Sequence, residues 1–255
     1  MNKIAAIALN TFRESIRDRI FYSLLFFAVV LLAFSMVLGN LTLAEPVKII
    51  KDFGLGSISI VGTLIAIFVG IGMVYKEMEK KTIYVILSKP IARWQFLIGK
   101  YCGLSITIII EVVVMTVLLF VLCYQYVPQI PFTLFYAIVP IYFELQLILA
   151  VAFLFSTFST SFLSGMFTLS IFIIGHLTKD LKMLAQSGDD IVFQKFANGL
   201  YYVFPNLENL NFKARVVHNL GISLPEILFS LLYSALYTAV ILILAIFIFE
   251  RRDIP

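Results

Sequence analysis

The sequence predicts an all-α integral membrane protein, in which an N-terminal amphipathic interfacial helix precedes a six-helix transmembrane bundle. Three observations predict this fold class. Of the 255 residues, 61% are hydrophobic and 13% are charged. The apolar residues form uninterrupted blocks, and a helix needs roughly 20 such residues to cross a bilayer. The basic residues lie between these blocks. A soluble domain of this length needs far more polar surface, which excludes the soluble classes of protein.

Residues 1–19 form the first predicted region, which contains a helix over 3–19 at the cytoplasmic interface. Its apolar residues share one helical face: Ile4, Ala5, Ala8, Leu9, Phe12 and Ile16. Its polar residues share the other: Asn10, Arg13, Glu14 and Arg17. A basic amphipathic helix of this kind lies in the membrane surface. A cleaved signal peptide fits poorly, because the next apolar block is too long and no small-residue cleavage site follows it.

Residues 20–255 form the predicted transmembrane domain. Its six apolar blocks are 20–38, 57–75, 102–124, 134–156, 161–178 and 227–249. An open sheet cannot cross lipid, and the blocks lack the alternation of barrel strands, so each block is predicted to be a helix.

The orientation follows from the basic residues in the short loops. With the N-terminus inside, the cytoplasmic side carries Lys3, Arg13, Arg17, Arg19, Lys76, Lys80, Lys81, Lys89, Arg93, Lys100, Arg251 and Arg252. The outer side keeps Lys48, Lys51 and five basic residues of the long 179–226 segment, and long loops weigh little in the positive-inside rule. Both termini are therefore predicted to be cytoplasmic.

A stripe of small residues marks the second span. Gly62, Ala66 and Gly70 recur every four residues, which allows another helix to approach closely. Such a stripe serves helix packing, either inside one chain or at a subunit interface.

The cytoplasmic segment 76–101, between spans two and three, is amphipathic rather than loop-like. Ile83, Ile86 and Leu87 lie on one face, with charges around them. Lys89-Pro90 is predicted to break the helix, because the residue before proline avoids helical geometry. A second short helix would carry Ile91, Trp94, Leu97 and Ile98. A folded, charged pair of helices just inside the membrane is a suitable docking surface for a soluble protein.

The residues of this segment resemble the first cytoplasmic region of ABC-2 type permeases. That region has an acidic-basic stretch, Thr, apolar residues, Leu-Ser, Pro, Arg and a Gly-Lys pair. The matching residues here are Glu79, Lys80, Thr82, Leu87, Ser88, Pro90, Arg93, Gly99 and Lys100. Many members have Gly before the Thr, where this chain has Lys81. The layout, including the Arg-Arg-Asp tail, looks closest to the branch that contains the copper-maturation permease of nitrous oxide reductase and the gliding-motility permease.

The resemblance implies a type V-like exporter fold in a bacterial or archaeal cell membrane. It implies two copies of a separate ABC ATPase that bind ATP and Mg, a second permease copy, and no cofactor bound by this chain. In the family, the segment between spans two and three includes a coupling helix that docks on the ATPase. The residues expected to contact it are Glu77, Glu79, Lys80, Thr82, Ile86, Leu87, Pro90, Ile91, Arg93, Trp94 and Lys100.

Several catalytic motifs are absent from the sequence. There is no G-x-x-x-x-G-K-[ST] phosphate loop, because Gly99-Lys100 lacks the upstream glycine and is followed by Tyr101. His176 and His218 are not part of H-E-x-x-H, and no G-x-S-x-G occurs. The chain is therefore predicted to be non-catalytic, with no metal site and no nucleic-acid partner.

Three ionisable residues lie within predicted spans: Glu111, Glu144 and His176. A charge at the bilayer centre costs at least about 2.5–3.5 kcal/mol, so such residues usually have a purpose. The glutamates either line a substrate path or proton relay, or are neutral carboxyls bonded between helices. His176 is expected to be a polar residue near the interface.

Two features leave alternatives open. The outer segment 179–226 has an amphipathic pattern, and it either gates an exit or contacts an extracytoplasmic partner. The chain as a whole fits an exporter permease, a membrane anchor that moves no solute, or an ion-coupled carrier. The carrier is disfavoured because no paired repeat is visible.

Overall fold

The computed structural model describes residues 3–41, 45–79, 92–127, 131–187 and 191–251, and in these ranges the regular structure is helical. The helices are α1 (Lys3–Arg17), α2 (Arg19–Leu41), α3 (Pro46–Glu79), α4 (Arg93–Tyr126), α5 (Phe135–Ser156), α6 (Ser161–Ser187), α7 (Ile191–Val203), α8 (Lys213–Val217) and α9 (Leu224–Arg251). Short 3₁₀ turns cover Phe132–Leu134 and Leu207–Leu210.

Six of these helices are long and apolar enough to span a membrane, which confirms the predicted all-α bundle. The spans lie in α2, α3, α4, α5, α6 and α9. Several helices extend beyond the apolar blocks, because a helix satisfies its own backbone hydrogen bonds inside and outside lipid alike. The short helix expected around Trp94 is one such extension, since α4 begins at Arg93 and continues without a break into the third span.

Helices α3 and α5 form the centre of the bundle. Their apolar windows are 78% and 72% buried, against 22% for α2, α6 and α9. The small-residue stripe of α3 explains their close contact. A Cβ atom added to Gly62 would overlap the side chain of Leu145, and one added to Gly70 would lie 2.9 Å from Leu149 Cδ1. Gly62 and Gly70 therefore pack against α5 inside the chain.

Helix α1 packs against the first turns of α4 through small residues. Ala8, Thr11 and Ser15 are buried, whereas Leu9 of the predicted apolar face is 42% exposed. A Cβ atom added to Gly103 would lie 2.5 Å from the carbonyl oxygen of Ala8. The glycine lets the two backbones approach, so the side of α1 that carries Ala8, Thr11 and Ser15 packs against α4.

The two ends of the bundle are distinguished by their contacts. At the proximal end, the start of α4 meets the end of α9. At the distal end, Tyr126 donates a hydrogen bond to Asn40 Oδ1 at 2.6 Å, joining the ends of α4 and α2. Part of the predicted outer segment folds into the distal end, where it buries Leu207, Leu210, Phe212, Val216 and Val217.

Candidate functional site

Two groups of residues are candidates for function, one at each end of the bundle. The proximal group belongs to the predicted coupling segment. Glu77 and Glu79 lie in the last turns of α3. The residues between α3 and α4 lie outside the described ranges, and they include the predicted contacts Lys80, Thr82, Ile86, Leu87, Pro90 and Ile91. Arg93, Trp94 and Lys100 lie in the first two turns of α4.

Arg93 joins the start of α4 to the end of α9. Its Nη1 atom donates to the carbonyl oxygens of Phe249 and Glu250 at 3.3 and 3.2 Å. These carbonyls lie in the last turn of α9, where a helix leaves its acceptors without intrahelical partners. A cation there is also favoured by the helix dipole. Phe96 stacks on Phe249 beside this contact, with ring centroids 6.2 Å apart.

Lys100 lies inside the bundle rather than on a docking surface. Its side chain is 2% exposed, and Nζ donates to the carbonyl oxygen of Met73 at 2.9 Å. The ammonium also lies 5.6 Å from the centroid of the Phe96 ring. Lys100 therefore ties α4 to α3. Trp94, by contrast, is 41% exposed.

These contacts form a proximal junction, which we define by Arg93, Phe96, Gly99, Lys100 and Gly103. Through it, the first turns of α4 contact α1, α3 and α9. The Gly-Lys pair of the sequence motif has a physical role in this junction. Gly99 allows α1 to approach, since a Cβ atom there would lie 2.8 Å from Ile7 Cβ, and Lys100 binds α3. A displacement of the start of α4 would therefore also displace the residues of α1, α3 and α9 that contact it.

The distal group surrounds Glu144, which is fully buried on α5. His176 of α6 places Nε2 3.4 Å from Glu144 Oε1, and its Nδ1 lies 3.0 Å from the carbonyl oxygen of Phe172. A carbonyl oxygen only accepts, so Nδ1 carries a proton. The His176 ring is thus within ion-pair distance of Glu144, although neither oxygen of that carboxyl has a hydrogen-bond partner among the described residues.

Lys213 brings a cation near the same carboxyl. Its Nζ donates to Ser59 Oγ of α3 at 3.0 Å, and Lys213 and Glu208 are further charged groups close to Glu144. Ser59, Glu144, His176, Glu208 and Lys213 together form the distal polar cluster. Glu144 and His176 were predicted as polar residues within spans, whereas Ser59, Glu208 and Lys213 have no local signal in the sequence. Glu208 and Lys213 reach α3 and α5 only because residues 207–217 fold back, and Ser59 stands out only through its contact with Lys213.

Glu111 has different surroundings. It is fully buried on α4, and neither carboxyl oxygen has a hydrogen-bond partner within the described part of the chain. Its Oε2 atom would lie 3.2 Å from a Cβ atom added to Gly62 of α3. The missing side chain of Gly62 thus leaves the space that the carboxyl occupies.

The two glutamates therefore differ in the charged groups near them. Glu144 has Lys213, His176 and Glu208 nearby, whereas burial alone dominates the surroundings of Glu111. The polar-path and buried-carboxyl roles both stay predictions for each glutamate. Both are fully buried, so neither faces an open passage in this conformation. Among the residues that the structure describes, no three His, Cys, Asp or Glu side chains are grouped so as to hold a metal ion.

The sequence is similar to one known protein family along nearly its whole length. Residues 5–254 match the family described as ABC-2 family transporter protein, so the match covers nearly all of the chain, including both ends of the bundle. No curated protein matches the sequence. The family match and the six spanning helices agree on a multi-pass membrane protein of a transporter. The chain belongs to the ABC-2 family of transporter proteins.

Proposed function

We propose that this chain is the permease subunit of an ATP-driven exporter, and that it couples ATP hydrolysis in a separate ATPase to translocation of a substrate. Family membership supports the permease role. The observation that supports coupling is the proximal junction. The predicted ATPase-docking segment leads directly into the first turns of α4, and those turns contact α1, α3 and α9.

The contacts of the proximal junction indicate how a movement of the ATPase would be transmitted to the spanning helices. Closure of the ATPase on ATP would displace the segment between α3 and α4. Arg93 would pass the displacement to α9 through two main-chain carbonyls, and Lys100 would pass it to α3. Since α3 is packed against α5 at Gly62 and Gly70, the central pair would move with it.

The remaining features of the proposal follow from the resemblance. The complex would contain two ATPase copies and a second permease copy, with ATP and Mg bound by the ATPases. The chain itself would be non-catalytic and would bind no cofactor. It would lie in a bacterial or archaeal cell membrane with both termini in the cytoplasm, nearest to the branch of the nitrous-oxide-reductase copper-maturation and gliding-motility permeases. The distal end would then face outward, where an extracytoplasmic partner could bind.

A second candidate function is a membrane anchor that transmits ATP-driven motion without moving a solute. Glu111 and Glu144 are both fully buried, so neither carboxyl faces an open passage in this conformation. This close packing favours the anchor. Substrate-stimulated ATPase activity of the reconstituted complex would identify a transporter, and ATPase activity that no solute changes would identify an anchor. An ion-coupled carrier would instead work without any ATPase.

The coupling proposal is tested by replacing Arg93 and Trp94 together with alanine. The tagged protein is purified from its own host, and the copurifying ABC ATPase is quantified. We expect insertion into the membrane to persist and ATPase recovery to fall by about tenfold or more, since truncating an aromatic anchor such as Trp94 costs about 2 kcal/mol or more, and Arg93 fixes the start of α4 that carries it. The matched control replaces the exposed distal pair Lys195 and Tyr202 with alanine. ATPase recovered with the Arg93/Trp94 variant at wild-type yield and activity would refute the proposal.

The orientation is tested by reporter fusions. Fusions after Asn40 and Pro131 should report the outer side, and a fusion after Lys89 should report the cytoplasm. An outside signal at Lys89 would invalidate the topology and the docking proposal with it.

A further inference from the structure

Three arginines are gathered where helix α1 turns into helix α2, at the proximal end of the bundle. Arg13 and Arg17 lie in the last turns of α1, and Arg19 begins α2. All three side chains are exposed, and none forms an ion pair or hydrogen bond with the part of the chain that the structure describes. We name these three residues the basic corner. The proposed coupling route gives their guanidinium groups no role.

The basic corner lies on the side of α1 that faces away from α4. Ala8, Thr11 and Ser15 form the buried face of α1. At about 100° per residue, Arg13 and Arg17 lie about 140° and 180° around the helix axis from Ala8. The flank between these two faces is apolar, and none of its residues is buried: Ala5, Leu9, Phe12 and Ile16. An apolar flank beside a basic edge is the arrangement of a helix at a membrane surface.

The contacts of α1 place the basic corner at the membrane boundary. Cβ atoms added to Gly99 and Gly103 of α4 would meet α1, and the apolar block of α4 begins at residue 102. Arg19 is the first residue of the spanning helix α2, and the rest of that helix carries no charge. Charges at this level meet the headgroup layer of the bilayer rather than its hydrocarbon core. The predicted orientation makes this the cytoplasmic leaflet.

Two acidic residues nearby leave the corner with an excess of positive charge. Asp18 Oδ1 accepts a hydrogen bond from the backbone N–H of Ile20 at 2.9 Å, so this carboxylate caps the start of α2. Glu14 lies about 100° around the axis from Arg13, on the side away from the apolar flank. Three guanidinium groups against these two carboxylates match a negatively charged partner.

We propose that the basic corner binds anionic phospholipids, with their phosphate groups held by Arg13, Arg17 and Arg19 and their acyl chains beside the apolar flank of α1. The planar guanidinium fork matches the oxygens of a phosphate and stays charged. Phosphatidylglycerol presents such a phosphate with a net negative charge. Phosphatidylcholine and phosphatidylethanolamine add a cation that the arginines repel. The apolar flank and the level of the corner favour a lipid over a soluble protein.

A lipid at this site would hold α1 against α4. The backbones of these helices approach at Gly99 and Gly103, and Lys100 between them binds the carbonyl oxygen of Met73 on α3. The lipid would cover the opposite side of α1 and stabilise its packing beside the proximal junction. This consequence rests on the packing of α1 and needs no assumption about the ATPase.

The test variant carries both Arg13→Gln and Arg17→Gln. Glutamine is polar and nearly as good a helix former as arginine, so an exposed helix should tolerate it. The matched control carries Lys179→Gln and Lys195→Gln, which remove two exposed positive charges at the distal end. Both variants therefore change the net charge of the chain by the same amount.

The measurement is native mass spectrometry of the purified chain after equilibration with phosphatidylglycerol, phosphatidylcholine or phosphatidylethanolamine of identical acyl chains. We expect preferential retention of phosphatidylglycerol. Each arginine near an anionic surface contributes about fivefold, so the Arg13/Arg17 variant should lower this retention by roughly 25-fold. The Lys179/Lys195 control should retain the lipid as the wild type does.

Hydrogen exchange in nanodiscs measures the effect on α1. Its amides should exchange more slowly with phosphatidylglycerol than with phosphatidylcholine, and the Arg13/Arg17 variant should remove this difference. Unchanged exchange in the wild type would refute the stabilisation of α1.

Three results of the binding measurement would overturn the proposal. Equal retention of the three lipids would remove the selection by charge. A phosphatidylglycerol preference that the Arg13/Arg17 variant leaves unchanged, or that the control lowers equally, would place the lipid elsewhere. Displacement of the lipid by free glycerol phosphate would assign the corner to a soluble anion.

Discussion

Glu111 and Glu144 are equally buried glutamates in neighbouring helices, yet different residues surround their carboxyl groups. Neither carboxyl has a hydrogen-bond partner among the described residues, and Glu111 faces Gly62. Glu144 lies 3.4 Å from His176 and near Lys213. Burial costs each carboxyl its hydration, but only at Glu144 does a nearby cation, Lys213, offset the cost of a negative charge. The comparison shows that depth in the membrane does not decide the role of a glutamate, since its neighbours do.

The largest expected effect is that of Glu144→Leu. The substitution removes the buried carboxyl that lies near the half-buried Lys213 and beside His176, and the loss of an interaction within one charge network costs about 1–3 kcal/mol. For a chain of this size the Tm should fall by roughly 2–12 °C. Thermal unfolding in detergent measures it, with Glu144→Gln, which keeps the shape, as the milder control. A Leu variant as stable as the wild type would show that the distal polar cluster does not hold the bundle together.

The pairing of Glu144 with Lys213 is measured by a double-mutant cycle. Glu144→Gln and Lys213→Met should each destabilise the protein, and together they should cost less than the sum. We expect a coupling free energy of about 1–3 kcal/mol, as for groups in one charge network. The same cycle between Glu111 and Lys213 should give a value near zero. Additive effects at Glu144 and Lys213 would mean that the two groups do not interact.

Ser59→Ala has a smaller expected effect. It removes the hydroxyl that accepts from Lys213 at 3.0 Å, and one such hydrogen bond contributes about 1 kcal/mol. Because Lys213 lies on α8, faster hydrogen exchange in α8 should accompany the lower Tm. Ser230→Ala on α9, whose exposed hydroxyl bonds only within its own helix, is the control. Unchanged exchange in α8 would show that the contact with Ser59 does not hold this segment.

The smallest expected effect is that of Glu111→Leu. Replacing a buried carboxyl that has no partner with an apolar side chain of similar volume is often neutral or stabilising, so the Tm should not fall. A large loss of stability would reveal a partner and remove the contrast with Glu144. If the Leu variant is stable but the complex loses transport while Glu111→Gln retains it, Glu111 has a functional rather than a structural role.

Much of the fold was predictable because it depends on one local property, the length of each apolar block. An apolar block of sufficient length must become a helix in lipid, where the backbone has no other hydrogen-bonding partner. Block lengths therefore predicted the six spans, and the interval of four residues predicted the packing stripe of Gly62, Ala66 and Gly70. The bounds of the apolar blocks also showed that Glu111 and Glu144 lie within spans.

The sites were less predictable, because contacts between distant residues have no local signal. Lys100 is part of a familiar Gly-Lys pair, and its sequence context indicated a docking contact. Only packing showed that its ammonium binds the carbonyl oxygen of Met73 inside the bundle. Packing also showed that Gly103 lets the backbone of α1 approach α4 at Ala8, a contact between distant residues that no local pattern indicates.

By itself, then, the sequence determined that this protein is a six-span helical bundle of the ABC-2 type, because hydrophobic length and backbone hydrogen bonding act within each segment. The tertiary structure alone decided which polar groups meet. It brought Lys213 to Glu144, left Glu111 facing Gly62, and joined Arg93 to the end of α9 across 156 residues of chain. Partners of this kind are chosen by how helices pack, and that depends on all of the segments together.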